Sequence, residues 1–333
     1  MSGHRRRTCC SYPGRGRYGG GVTGMPRTGL VWLPEDDWPQ RLDVPSGITV
    51  EVWRSGMPVG ASASEVEFYV PEYMGPRSVL EVLGQLPSLR VVQTLTAGYD
   101  DVLPLLPDGV TLCNATGVHD ASTAELAVGL TIASLRGFAG FIRAQDEQTW
   151  LHARHDALAD RRVLVIGAGA VGTAIAGRLE PFEVEVTLVG RTERAGVSAV
   201  RALGALLPQA DVVVLAVPYG PATRHLADKA FLAAMPDAAL LVNVSRGAVV
   251  DTDALVRELH SGRLRAALDV TDPEPLPADH PLWRAPNVLI SPHVGGDTSA
   301  FLPRAWRLLQ RQLDAYARGE PLVNVVAPVS EPS

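Results

Sequence analysis

The run Val163-Leu164-Val165-Ile166-Gly167-Ala168-Gly169-Ala170-Val171-Gly172-Thr173 decides the fold. Four consecutive apolar residues bounded by glycine read as a buried strand, and residues 173–179 read as a helix. In the G-x-G-x-x-G between them, Gly167 permits a tight turn and Gly169 lets a ligand approach the backbone. Gly172 lets the helix pack close to the strand. The first N–H groups of that helix then point at an anion, so the expected ligand is a dinucleotide diphosphate, with Ala170 and Val171 among its contacts. The glycines alone would support no more than a turn. The strand before them and a second strand at 185–189 give them their meaning.

Reading outward from this loop, strand-like runs fall at 163–166, 185–189, 212–217, 240–244, 266–270 and 288–291, with helical segments between most of them. Six such strands make a doubly wound parallel sheet. Toward the N-terminus, runs at 30–33, 48–53, 66–70, 90–94 and 110–114 read as strands of a first α/β unit. Helical spacing of Ala124, Leu126, Ala127, Leu130, Thr131 and Leu135 predicts a helix over 121–138, started by Ser122 or Thr123 before Glu125. A further helix at 298–317 is placed to return to the first unit. The expectation is an α/β protein with two Rossmann-like or flavodoxin-like domains. Residues 25–120 plus 298–333 form a discontinuous substrate domain, and 121–297 form the dinucleotide-binding domain.

A chain of 333 residues suits two such domains, and its 46% hydrophobic and 20% charged residues are those of a globular protein. A net charge of -6 gives no electrostatic reason for a nucleic-acid or membrane partner. No apolar run reaches the roughly 18–20 residues of a membrane helix, and the N-terminus lacks the apolar core of a secretory signal, so a cytoplasmic location is expected. Cys9, Cys10 and Cys113 offer neither a disulfide framework nor zinc spacing, and no metal is expected. Residues 1–24, rich in Gly and Arg, read as a disordered tail. A nucleic-acid-binding arm is the competing reading, and Met25 is an alternative start.

The second strand of the cofactor unit ends in Val189-Gly190-Arg191-Thr192, where an NAD site would usually carry an Asp or Glu for the adenosine ribose. Gly190 leaves room and the Arg191 guanidinium can take a 2′-phosphate in two hydrogen bonds, helped by Thr192 and Arg194. NADP(H) is therefore favoured over NAD(H). The alternative is that Arg191 is a solvated charge and Glu193 reaches the ribose.

Arg246, Glu274 and His293 follow the fourth, fifth and sixth strands of this sheet, at the edge where such sheets bind ligands. Arg246 suits a substrate carboxylate, because its planar, permanently charged fork matches two oxygens. His293 suits general acid–base work on a carbonyl oxygen as hydride arrives at carbon. Glu274, bonded to the other ring nitrogen, would favour the imidazolium and fix its orientation. Each also has a purely structural alternative: Arg246 paired with Asp269 or Asp251, Glu274 solvated among prolines, His293 capping the last strand.

These segments closely resemble the D-2-hydroxyacid dehydrogenase family. The resemblance runs through Gly117-Val118-His119-Asp120-Ala121-Ser122-Thr123-Ala124-Glu125, the glycine loop, Val242-Asn243-Val244-Ser245-Arg246-Gly247, Leu268-Asp269-Val270 with Glu274-Pro275, and Ser291-Pro292-His293-Val294-Gly295-Gly296. It implies an NAD(P)-dependent reduction of a small 2-oxo acid, reversibly, to the D-2-hydroxy acid, with Arg246, Glu274 and His293 catalytic. It also implies cofactor contacts from Val217, Pro218, Thr223, Val244, Ser245, Arg246, Asp269, His293 and Gly295. Substrate would be held by Arg246, His293 and the backbone amides of Ala97 and Gly98.

The family further implies a homodimer joined through cofactor domains, with Trp150 either reaching the partner's pocket or merely buried at the dimer face. Leu95, Tyr99, Trp283 and Trp150 suggest some apolar lining. Glu183 stands where many members have glycine, a departure expected to disturb only a surface turn. A phosphite dehydrogenase-like enzyme and a non-catalytic, dinucleotide-sensing corepressor of the same fold are the competing functions. Formate dehydrogenases are disfavoured because they usually lack the carboxylate that Glu274 supplies.

Overall fold

The computed structural model describes residues 27–326; the tail 1–24, the alternative start Met25 and the Cys9–Cys10 pair lie outside the described residues. Five short strands, β1 (Gly29–Leu33), β2 (Ile48–Val52), β3 (Val66–Tyr69), β4 (Val91–Gln93) and β5 (Thr111–Cys113), pair in parallel in the order β2-β1-β3-β4-β5. Successive side chains point to opposite faces, and both faces are covered. Val31 and Leu33 face one core, while Leu30 and Trp32 face another that includes Trp53 and Tyr69.

The second sheet has seven parallel strands: β6 (Arg162–Ile166), β7 (Glu185–Gly190), β8 (Ser198–Ala199), β9 (Val212–Leu215), β10 (Leu240–Asn243), β11 (Arg265–Leu268) and β12 (Val288–Ile290). Their order is β12-β11-β10-β9-β6-β7-β8. The winding direction reverses between β6 and β9, which opens a crevice at the carboxyl ends of these strands. Leu164 and Val213 face one core and Val163 and Val212 the other, the arrangement of a sheet wound on both faces. The strand β8, two residues long, is the one strand the apolar pattern did not indicate, since Ser198-Ala199 carries no strand signature.

Helix limits differ from the sequence reading in ways with physical causes. The helix expected at 121–138 spans Asp120–Leu135, and Gly137 in a left-handed conformation (φ 68°) separates it from a second helix, Phe138–Asp146. Only glycine adopts that conformation without strain, so the chain turns there. Ser122 does not cap the helix; its hydroxyl lies 2.8 Å from that of Thr298. The late helix begins at Phe301 rather than 298 and ends at Ala317. Its Leu309 and Leu313 are fully buried in the first sheet's core, where truncation of either to Ala would cost about 2–5 kcal/mol. The helix is thus a structural layer of the first sheet. Glu183, also left-handed (φ 60°), occupies an exposed turn as expected. Among the described residues no single helix is long and apolar enough to cross a membrane.

Candidate active site

The loops at the carboxyl ends of both sheets meet around a cavity of about 330 Å³. On the cofactor side, a Cβ on Gly167 would overlap the Ala216 carbonyl, and one on Gly172 would overlap the Gly167 oxygen. Both positions therefore need glycine. Gly169 caps the helix Ala170–Leu179 with no side chain bonded to its first amides, and nothing lies within 4 Å of where a Gly169 Cβ would stand. Gly169, Ala170 and Val171 border the cavity. An uncapped helix N-terminus beneath open space is what a dinucleotide diphosphate requires, so these residues fit a nicotinamide dinucleotide.

Arg246 is held by a buried side-chain knot. Asn243, fully buried at the end of β10, accepts from the Ser245 N–H (3.0 Å) and hydroxyl (2.7 Å), and its amide donates to the Arg246 carbonyl (2.9 Å). The guanidinium donates through Nη1 to the Ser245 carbonyl (2.9 Å) and pairs through Nε with Asp100 (3.3 Å). Neither Asp269 nor Asp251 is its partner. Its Nη2 lies against Gly98, where a Cβ would overlap it.

The 94–98 loop turns its carbonyls inward. Thr94 Oγ1 donates to the Thr96 carbonyl (2.9 Å), Thr96 Oγ1 to that of Gly98 (2.7 Å), and Asn114 Nδ2 to that of Ala97 (2.8 Å). The Ala97 and Gly98 N–H groups have no acceptor among the described residues, and both residues border the cavity beside Arg246.

His293 follows β12 with φ 53°, in the left-handed region that a residue bearing Cβ seldom enters. The surrounding bonds hold it there. Its N–H donates to the Asp269 carbonyl (2.7 Å), and the buried Asp269 carboxylate accepts from Ser291 Oγ (2.7 Å), Val294 N–H (2.9 Å) and Gly295 N–H (2.9 Å). The ring's Nδ1 meets Glu274 Oε1 at 2.5 Å, which leaves Nε2 for the cavity. Burial alone would raise the Glu274 carboxyl. The hydrogen bond and charge of His293, the Thr271 N–H and the Arg246 charge together hold it below the ordinary carboxylate range.

Val217, Pro218, Val244, Ser245 and Gly295 also line the cavity. Thr223 does not; its hydroxyl is turned to the Pro218 carbonyl (2.7 Å). Arg191 and Thr192 are exposed just past β7 and do not line the cavity. Leu95 is buried in the first core rather than lining the pocket. Trp283 is exposed, with its indole bonded to the Pro277 carbonyl, and Trp150 is 94% exposed. Several lining residues carried no sequence signal of function: Tyr73, Met74, Thr116 and Tyr219. His119 lines it too, and it was visible only as part of the 117–125 segment.

A family model, the D-isomer specific 2-hydroxyacid dehydrogenase NAD binding domain, matches residues 128–295. Glyoxylate reductase/hydroxypyruvate reductase of Homo sapiens is 34% identical over 296 residues, 82% of this chain and 89% of its own length. A D-isomer specific 2-hydroxyacid dehydrogenase from Xanthobacter autotrophicus Py2, solved with NADPH and MES, superposes with a TM-score of 0.77 at 31% identity, over 90% of this chain and 98% of its own. The NADPH-dependent glyoxylate/hydroxypyruvate reductase of Sinorhizobium meliloti, solved with NADP and sulfate, also gives 0.77, at 25% identity over 90% and 98% of the two chains. With the cofactor-domain model matched across 128–295 and a relative 34% identical along most of its length, the protein belongs to the D-isomer specific 2-hydroxyacid dehydrogenases, NAD(P)-dependent oxidoreductases.

Proposed function

We propose that the protein reduces a small 2-oxo acid to its D-2-hydroxy acid, and catalyses the reverse, with NADP(H) preferred over NAD(H). One observation carries this reading: His293, held by Glu274 at 2.5 Å, shares a cavity with Arg246 and with the Ala97 and Gly98 amides, which have no acceptor among the described residues. When bound, the nicotinamide cofactor supplies or accepts the hydride. The two amides and the Arg246 guanidinium, which lies against Gly98, would together hold a planar carboxylate. With the acid so held, its carbonyl oxygen falls between Arg246, which polarises it, and His293 Nε2, which gives it a proton. Glu274 meets Nδ1 and keeps the ring oriented, with Nε2 turned to the substrate as the alcohol forms.

The NADPH preference rests on the loop after β7. Glu193, the rival ribose acceptor, pairs with Arg201 (2.9 Å), and Arg194 donates to the Ala168 carbonyl (2.8 Å). Arg191 makes no ion pair among the described residues, and no carboxylate stands at the end of β7 to repel a 2′-phosphate. Arg194, anchored through Nη2 beside the glycine loop, keeps Nε and Nη1 as donors to help Arg191 and Thr192 with the phosphate. Two structural relatives are named with NADPH or NADP. Relatives named glyoxylate or hydroxypyruvate reductase make these two acids the first substrates to try.

In this reading residues 25–120 with 298–333 bind substrate and 121–297 bind cofactor. Two chains pair through the cofactor domains, and the exposed Ile142, Trp150 and Leu151 give that face its apolar character. A spectrophotometric panel of glyoxylate, hydroxypyruvate and phenylpyruvate against NADPH and NADH tests the function. Turnover with a higher kcat/KM for NADPH is expected. Absence of turnover on every 2-oxo acid refutes the function, and a clear NADH preference refutes the cofactor choice.

A further inference from the structure

The mechanism above leaves a buried histidine unused. His119 is 6% exposed and sits at the N-terminus of the crossing helix Asp120–Leu135, one of the two passages between the sheets. Its Nε2 lies 2.6 Å from the Leu95 carbonyl, and its Nδ1 lies 3.3 Å from that of Gly296. Leu95 immediately precedes the loop that presents the Ala97 and Gly98 amides. Gly296 is three residues past His293.

The ring is also packed against two aromatic side chains that touch each other. It stacks on Tyr73 (centroids 5.4 Å apart, 19° between planes) and on Phe301 (5.1 Å, 24°), and Tyr73 meets Phe301 at 4.3 Å. These aromatic partners come from the loop after β3 and from the first turn of the return helix, so the cluster joins both passages. A Cβ on Gly296 would overlap His119 Nδ1 and crowd the Tyr73 hydroxyl, so the His293 loop closes against this ring only because glycine stands there. The Ser122–Thr298 contact ties the same two passages one turn further on.

From this geometry we infer that His119 is a positioning residue, which fixes the separation between the substrate-carboxylate loop at 96–98 and the proton-donating ring of His293. One side chain spans the two loops that must hold opposite ends of one small molecule. Loss of its bonds lets them drift, and a displacement of ~1 Å at a reacting centre is enough to cost up to ~100-fold in rate. His119 itself touches neither the transferred proton nor the hydride. The inference rests on the roles proposed above for Ala97, Gly98 and His293.

The test compares the full-length enzyme with His119→Phe, which keeps a stacking ring but no donor, and His119→Gln, which restores an N–H donor. The substrate is the oxo acid of the panel that the wild type reduces fastest, with NADPH and with NADPH deuterated at the transferred position. For His119→Phe we expect kcat/KM for the oxo acid to fall by about tenfold or more, NADPH Kd to stay within about twofold, and the deuterium effect on kcat to grow as hydride transfer becomes limiting. His119→Gln should recover much of the loss. Wild-type kcat/KM in both variants overturns the inference while leaving the proposed function standing. So does a loss that only tracks a lowered Tm with an unchanged isotope effect. A wild-type enzyme inert on every oxo acid removes the roles on which the inference rests, and the inference falls with them.

Discussion

The two sheets bring different materials to the cavity from their carboxyl ends. The first supplies backbone, rings and one carboxylate: the Ala97 and Gly98 amides, Tyr73 and Tyr99 beside them, and Asp100 paired with Arg246. Burial pushes the Tyr73 hydroxyl up to about 12, with Asp297 and Asp269 adding and Arg246 offsetting, so at ordinary pH it is a neutral donor. The second sheet supplies charge: Arg246, the His293–Glu274 pair, and the buried Asp269 beneath them. In the proposed function, bond making falls to the cofactor sheet and the choice of oxo acid to the first sheet. One family can keep the chemistry while the rings opposite it vary.

Substitutions can break this division. His293→Gln removes the proton donor and should lower kcat by about 10²–10⁴, with NADPH Kd by fluorescence titration near wild type. Retained turnover would move the acid–base role elsewhere. Arg246→Ala should raise KM for the oxo acid by about 100-fold, or about 2.7 kcal/mol at 1.36 kcal/mol per tenfold, with a smaller loss in kcat. An unchanged KM would contradict carboxylate binding. Gly98→Ala places a methyl where the guanidinium lies. It should raise the same KM by about tenfold while leaving cofactor Kd alone, an effect that crosses from the first sheet to the second.

Much of the second sheet was legible in the sequence because its signals are local. A buried parallel strand is a continuous apolar run, and the phosphate turn announces itself by three glycines whose missing Cβ atoms the structure accounts for at Gly167 and Gly172. The segments carrying Arg246, Glu274 and His293 stand directly after strands. The pocket wall was not legible in this way. Tyr73 with Met74, Thr116, and Tyr219 follow three different strands and meet only through folding, so no spacing along the chain relates them.

Two further features needed coordinates. Asp100 takes the guanidinium edge that the purely structural alternative gave to Asp269 or Asp251, because the loop after β4 reaches across from the other sheet. Asp269 instead holds the His293 loop from below, accepting from three donors, which stabilises a histidine in a backbone conformation that costs on the order of 1–3 kcal/mol. Nothing in Ser291-Pro292-His293 marks that conformation in the sequence.

The central claim is that Glu274 and His293 act as one proton-delivering pair, and the pH dependence of reduction tests it most directly. Because the Glu274 carboxyl is held below the ordinary carboxylate range, its contribution to stability is complete above that range. It is lost only as pH falls through the lowered value. That protonation also ends the carboxylate's hold on His293, so the rate of reduction falls with it on the acid side. Measured side by side with the wild type, Glu274→Gln should be slower by about 10²-fold and lack that acid-side fall, since it has no carboxylate to protonate. Superimposable acid limbs in the two enzymes would contradict the account.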